Sequence, residues 1–449
     1  MALEELVQGR RPAAITTRQF ADCIGRVRNL ALMLSDYVDG EAREQVLNAY
    51  KVLFTEMEPD TRFTVVVDDD RDRQDVERII VENHVPNPER IRLLQPGANG
   101  LTVWMRDVMV PQWMPDNPQH TAILAQKPLH DWHGNDKKIP PLIAQEDPSI
   151  LLNKDSRVCT DGGDVMSNSR ESFVGYYSLS ATADRLHALC QDPQLKTRAV
   201  DFFEASSGRE VVPDGAHSSL PYLVMEHPSY LEIRDNPNYE APHLAPAQAS
   251  EGEMYEELAR ELFQSELGKP VTVMGKDDPE TEHREEPATD HMDMGMTPIS
   301  DRTFLVGDPA LTARLIREMS PEDRRLAEEK LGPVEGILNQ DNQEDFEAYV
   351  KTLEQSGYRV VRVPHADRSG WYSYLSYNNC LMERFEREDG QQVQRVFLPV
   401  YGIPGLDRYA TEVWESQGFE VHPLPFDKVS RMKGALRCIS NWLDRSPRA

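Results

Sequence analysis

The chain has 449 residues, with 39% hydrophobic and 28% charged positions and a formal net charge of −27. That composition is globular and rules out general disorder, and no apolar run approaches the roughly 20 residues of a membrane-spanning helix. A surface this acidic repels nucleic acid and anionic membranes and draws in cationic small molecules or basic peptides, although plain solubility is the other reading of the charge. Residues 1–20 mix charged and polar types without the apolar middle of a signal peptide, so the expected compartment is the cytoplasm.

Residues 1–60 read as a helical segment, with apolar residues at Leu30, Leu32, Leu34 and Val38 and again at Val46, Leu47, Tyr50 and Leu53. From Phe63 onward short β-rich runs alternate with amphipathic helices. The runs Phe63–Val67, Ile91–Leu94, Thr121–Leu124, Tyr222–Met225 and Val396–Val400 predict strands; helices are expected over 182–190, 252–266, 310–319, 343–356 and 407–417. Such alternation is the mark of an α/β fold. The expected organisation is an N-terminal helical segment over 1–60 and one catalytic domain over 61–449. An irregular insertion lies at about 205–290, where 205–250 is rich in Pro, Ser and Asn and 276–290 is highly charged.

A faint repeat runs through the second half. Residues 353–364 (LEQSGYRVVRVP) and 414–425 (WESQGFEVHPLP) share Glu, Gly, Val and Pro in register, and 262–274 is a looser copy. Each predicts a helix end, a glycine in the left-handed conformation and a strand.

The five cysteines, Cys23, Cys159, Cys190, Cys380 and Cys438, are scattered and contain no C-x-x-C pair. They argue for free thiols in a reducing compartment rather than a disulfide or zinc framework. Reactive residue types concentrate in four segments: Trp104–Pro111, Thr160–Val165, Asp290–Met294 and Gly434–Ser440. Each has an ordinary explanation. Asp107 follows a strand-like run and can pair locally with Arg106. Asp161-Gly-Gly-Asp164 is a natural tight turn, its glycines supplying positive φ. His291 and Asp293 would face the same side of a strand. Cys438 would most simply be a buried, inert thiol.

Together the four segments describe a site suited to a guanidinium. That planar cation is held by carboxylates through paired N–H···O bonds. A thiolate can then add to its central carbon, and a histidine can protonate the departing nitrogen. Peptide hydrolysis fits less well, since it needs an oxyanion hole rather than a nest of carboxylates.

In this order the segments resemble the guanidino-group-modifying (pentein) superfamily, which includes arginine, agmatine and peptidyl-arginine deiminases, dimethylarginine hydrolases and amidinotransferases. Arg106-Asp107 is similar to the deiminases' arginine–aspartate strand end. Residues 161–175, DGGDVMSNSRESFVG, resemble the stretch shared by arginine deiminases and dimethylarginine hydrolases, and His291-Met-Asp293 resembles the deiminases' His-x-Asp. Cys438 sits where the family keeps its nucleophile, although the run of glycines common there is replaced by Lys433-Gly-Ala-Leu-Arg437. The resemblance spans roughly residues 100–445.

It implies an α/β propeller of five ββαβ modules around a pseudo-fivefold axis, with no cofactor or metal. It also implies Cys438 as nucleophile, His291 as acid–base partner, and Asp161 in place of the usual Glu that aids proton transfer. Asp107, beside Arg106, and Asp293 would grip the guanidinium, with Asp164 as further polar support. The expected activity is a deiminase acting on an arginine-like small molecule or an arginine-containing peptide. The alternatives are an amidinotransferase and a non-catalytic guanidinium- or metal-binding module. The oligomeric state is not legible.

Overall fold

In the computed structural model the described residues are 16–97, 100–129, 134–154, 156–212, 248–277, 287–337, 340–367 and 374–446. Five mixed sheets carry the architecture, each built on the same scheme. A first strand pairs antiparallel with a second, and the second pairs parallel with a third. Thus Val110–Trp113 runs against Thr121–Leu124, which lies parallel to Ile150–Asn153. Val165–Ser167, Ser172–Gly175 and Val271–Met274 repeat the pattern. So do Met296–Ser300, Thr303–Asp308 and Arg359–Ala366, then Leu381–Glu386, Gln392–Val400 and Glu420–Pro425.

Parallel neighbours need a crossover. Helices supply it each time: Gly40–Glu56, Ile139–Glu146, Glu251–Leu267, Gln340–Gln355 and Pro404–Ser416 precede the parallel third strands. The last of these shows the logic, burying Leu406, Ala410 and Trp414 along one helical face.

The fifth sheet joins the two ends of the chain. The C-terminal strand Ser440–Arg445 runs antiparallel to Val27–Leu34, which is followed in parallel by Arg62–Val67 and Ile91–Leu94. The helix expected throughout 1–60 is therefore found over Gly40–Glu56, while Leu30, Leu32 and Leu34 belong to a strand. Seven of that strand's eight residues are buried. A strand covered on both faces reads as a continuous apolar run, which periodicity does not separate from a buried helix.

The other expected elements that lie within the described residues are present, including Ile91–Leu94, Thr121–Leu124 and the helices ending near 189, 267, 318, 355 and 416. Tyr222–Met225 and most of the 205–290 insertion lie outside the described residues; within it, Glu210–Val212 pairs with Gln248–Ser250 and the helix Glu251–Leu267 follows.

The repeat marks a structural unit. In all three copies a helix ends at a left-handed glycine, Gly268 (φ 68°), Gly357 (φ 82°) or Gly418 (φ 88°), and the parallel third strand follows. Pro423 and Pro425 are tolerated because Glu420–Pro425 is an edge strand.

Candidate active site

Three of the four reactive segments meet through turns at strand ends. Cys438 occupies the turn just before Ser440–Arg445, and its carbonyl accepts from the Arg106 N–H at 2.9 Å, which docks the 105–108 turn against it. Asp107 lies in that second turn rather than at the end of a strand. The Asp161–Asp164 segment packs underneath as a 3-10 turn. Its glycines serve close approach rather than positive φ: a Cβ on Gly162 would lie 2.0 Å from the Arg106 carbonyl oxygen, and one on Gly163 would lie 2.8 Å from His291 Nδ1.

His291 sits at the N-terminal cap of the short helix Met292–Gly295. Because this is a helical turn and not a strand, His291 and Asp293 point to different partners. His291 Nε2 lies 3.3 Å from Asp161 Oδ2, and its Nδ1 lies 3.5 Å from Asp107 Oδ1. Asp161 Oδ1 accepts from the Leu129 N–H, and Asp107 Oδ1 accepts from the Gly163 N–H, both at 3.1 Å. The imidazole is thus clasped between two carboxylates, each held by the backbone.

Asp107, His291 and Cys438 open onto one cavity of about 330 Å³, walled also by Tyr37, Trp104, Asp290, Met294, Tyr374, Met432 and Lys433. Asp161, Asp164, Asp293 and Arg106 stand behind this wall. Asp293 is fully buried, and its Oδ2 accepts from Arg437 Nε at 3.0 Å. The same guanidinium reaches Asp22 Oδ1 at 2.5 Å. Asp293 Oδ1 has no hydrogen-bond partner among the described residues. Asp164 accepts from the Ser178 hydroxyl at 2.5 Å and from the Met292 N–H at 3.4 Å, so it braces the His291 turn from below. Arg106 donates to Asn441 and lies 4.1 Å over the Trp442 ring, turned away from Asp107; the local Arg106–Asp107 pair does not form.

Burial and charge set the protonation states. Burial opposes the imidazolium of His291, but Asp107 and Asp161 outweigh it and hold its pKa well above the usual range. Burial pushes the Cys438 thiol well up, and the charges of Asp293 and Asp107 add to that. These shifts favour an imidazolium facing a thiol. Burial raises Asp164 to about 7 against the Ser178 hydrogen bond, and raises Asp293 against the opposing Arg437 charge. Arg106 is lowered to about 9, first by burial and then by neighbouring Arg437. Among the described residues, no group of three or more His, Cys, Asp or Glu side chains is placed to hold a metal ion.

Sequence reasoning passed over Asn379. Its side-chain N–H donates to Cys438 Sγ at 3.2 Å, and its Oδ1 accepts the N–H groups of Arg437 and Cys438 at 3.0 and 3.2 Å. It also gave no role to Arg437, Asp22, Tyr37 or Tyr374. The signal for Asn379 was present, since Asn378-Asn379 is a polar pair in the run Tyr374–Met382, whose other residues save Ser376 are apolar or aromatic.

No family model matches the chain, and no curated protein sequence matches it. Solved structures do. The chain shares its fold with agmatine deiminases of known structure. The agmatine deiminase of C. jejuni superposes over 97% of this chain and 98% of its own, with a TM-score of 0.53 at 9% identity. A cysteine-to-serine variant of that enzyme with substrate bound covers the same shares, with a TM-score of 0.54 at 10% identity. The agmatine deiminase of Enterococcus faecalis covers 98% of this chain and 99% of its own, with a TM-score of 0.55 at 12% identity. At such identities the likeness establishes the fold. No helix among the described residues is long and apolar enough to cross a membrane.

Proposed function

We propose that this chain is a cysteine-dependent guanidino hydrolase, a deiminase converting an arginine-like small molecule or peptidyl arginine to its ureido product with release of ammonia. The observation that carries this reading is the meeting of Cys438, His291 and Asp107 on one cavity wall, with Asp161 bonded behind the histidine. The fold shared with agmatine deiminases supports it.

In this reading Asp107 takes two guanidinium N–H groups from the cavity side, while Asp293, behind the wall, lends its negative charge to the bound cation. Bringing a cation between these carboxylates and the sulfur cancels the charges that hold Cys438 as a thiol, so substrate itself favours the thiolate, the thiol proton leaving to solvent as the cation enters. Sγ adds to the guanidinium carbon, and the imidazolium of His291 gives its proton to the departing nitrogen, which leaves as ammonia. A thiouronium remains on Cys438. His291, now neutral, takes a proton from the water that attacks the thiouronium carbon; the C–S bond then breaks, and the hydroxyl proton passes to the departing sulfur, giving the ureido carbonyl and the Cys438 thiol. Asp161 holds the imidazole in place through both proton transfers. Asp164 and Arg106 belong to the frame that sets the two turns.

The acidic surface, net −27, favours approach of a cationic substrate, whether a small molecule or an arginine-containing peptide. We further infer that the five sheets surround this site as five propeller modules. Free thiols at all five cysteines fit a reducing, cytoplasmic setting.

The test is a colorimetric ureido-product assay on wild type and Cys438→Ala with free arginine, agmatine, methylated arginines and an arginine peptide. Ureido product from wild type and none from the variant is the expected result. No product from any member of the panel, or product from both proteins, overturns the reading. Transfer of the amidino group to added glycine would replace hydrolysis with amidino transfer.

A further inference from the structure

The sulfur of Cys438 faces a hostile field. It is buried, and two carboxylates, Asp293 and Asp107, oppose its ionisation. Two groups oppose that field, the Ala435 backbone and the Asn379 side-chain amide, which donates to Sγ at 3.2 Å; Sγ also lies 3.7 Å from the Met294 sulfur.

We propose that Asn379 is a catalytic residue, whose side-chain N–H stabilises the Cys438 thiolate as it forms and whose side-chain oxygen fixes the nucleophile turn.

This rests on the cysteine-hydrolase reading above. The geometry is over-determined. Oδ1 accepts from two backbone N–H groups, those of Arg437 and Cys438, and a carbonyl oxygen is the atom that can do so. The amide orientation is thereby settled, and Nδ2 must face the sulfur. The Asn379 backbone carbonyl also accepts from the Arg437 N–H at 3.3 Å. Its neighbour Asn378 donates to the Gly295 carbonyl at 2.9 Å, tying the same loop to the His291 turn. One loop thus registers nucleophile and acid–base partner against each other. Being neutral, the amide can support a thiolate without competing with a cationic substrate for the carboxylates, as a Lys or Arg in its place would.

The experiment measures thiolate formation in the free protein, without turnover. The thiolate attacks the methylene carbon of iodoacetamide, forming a thioether and expelling iodide, so the alkylation rate against pH reports the thiolate fraction. Alkylation is read at the Cys438 peptide by mass spectrometry, with the partly exposed Cys159 as internal control. In Asn379→Ala the midpoint of the Cys438 curve is expected to rise by about one to two pH units. Asn379→Asp has the same shape and keeps an oxygen that accepts from the two backbone N–H groups, but places an anion at the sulfur. It should shift the midpoint at least as far, and it reports even if the alanine variant fails to fold. The Cys159 curve should not move. Superimposable Cys438 curves for wild type and Asn379→Asp would overturn the proposal, whatever the change in thermal stability. Failure of the deiminase reading shows up separately, as absent ureido product from wild type.

Discussion

Replacing Arg437 by leucine is the sharpest test of how this site is built. The guanidinium is 3% exposed and bridges Asp293, 0% exposed, and Asp22, 3% exposed. It also reaches the Val165 carbonyl and lies 5.2 Å from the Trp442 ring centre. Leucine keeps an apolar volume there but leaves two buried carboxylates without their cation. Breaking a buried ion pair by removing one partner costs about 3–5 kcal/mol, against about 0–1 kcal/mol for a surface pair. The expected loss is thus a large share of a total stability of about 5–15 kcal/mol.

Urea unfolding of wild type and Arg437→Leu at several pH values measures it. The sign with pH is fixed by Asp293. Burial already raises its pKa in the folded protein, and Arg437 is the largest opposing influence. Without it the folded pKa rises further. A carboxyl raised in this way lends stability below its unfolded pKa and forfeits it as pH rises through the folded value. The deficit of the variant should therefore be largest in neutral and alkaline solution and shrink on acidification. A loss below about 1 kcal/mol, or one independent of pH, would refute the picture of Arg437 as the cation holding two buried charges.

Other expectations follow from single contacts. Cys438→Ala should abolish ureido formation with an unfolding midpoint close to wild type, and His291→Ala should lower kcat by about 10²–10⁴; retained turnover in either would remove the residue from the chemistry. A Cβ at Gly163 would come within 2.8 Å of His291 Nδ1 and 3.1 Å of Asp107 Oδ1. Gly163→Ala should therefore displace the imidazole and reduce kcat by about 10²-fold while the circular dichroism spectrum is unchanged. Asp164 carries a folded pKa of about 7 against a reference of 3.8. The stability it confers is present below the lower value and is lost as pH rises through the higher one. Urea midpoints measured across that interval should fall in wild type and stay flatter in Asp164→Asn.

Much of this molecule is readable along the chain, and the readable parts are local. Helix ends, left-handed glycines and third strands recur at 262–274, 353–364 and 414–425 because a helix stop and a strand start are decided by neighbours in sequence. The reactive types at Asp107, Asp161, His291 and Cys438 are visible as residues, and the chemistry of a guanidinium explains why thiol, imidazole and carboxylates belong together.

What tertiary structure decided is which of these groups share a space. The short helix at Met292–Gly295 sends His291 to Asp107 and Asp161 while Asp293 turns to Arg437, a division that two-residue spacing read as a strand could not reveal. Asp107 and Asp161 are 54 residues apart in number, and Cys438 is farther still, so only the docking of separate turns brings them onto one imidazole and one cavity. The same holds for Val27–Leu34, whose apolar residues read as helix because the partner that makes them a strand, Ser440–Arg445, lies at the other end of the chain. Asn379 is the clearest case. Its local sequence marks a buried polar pair, but its role exists only because the last turn of the chain folds back to place a sulfur 3.2 Å from its amide. Local propensity acts over a few residues, whereas burial, ion pairing and hydrogen-bond geometry act across whatever the fold makes adjacent, and a catalytic site is made of the latter.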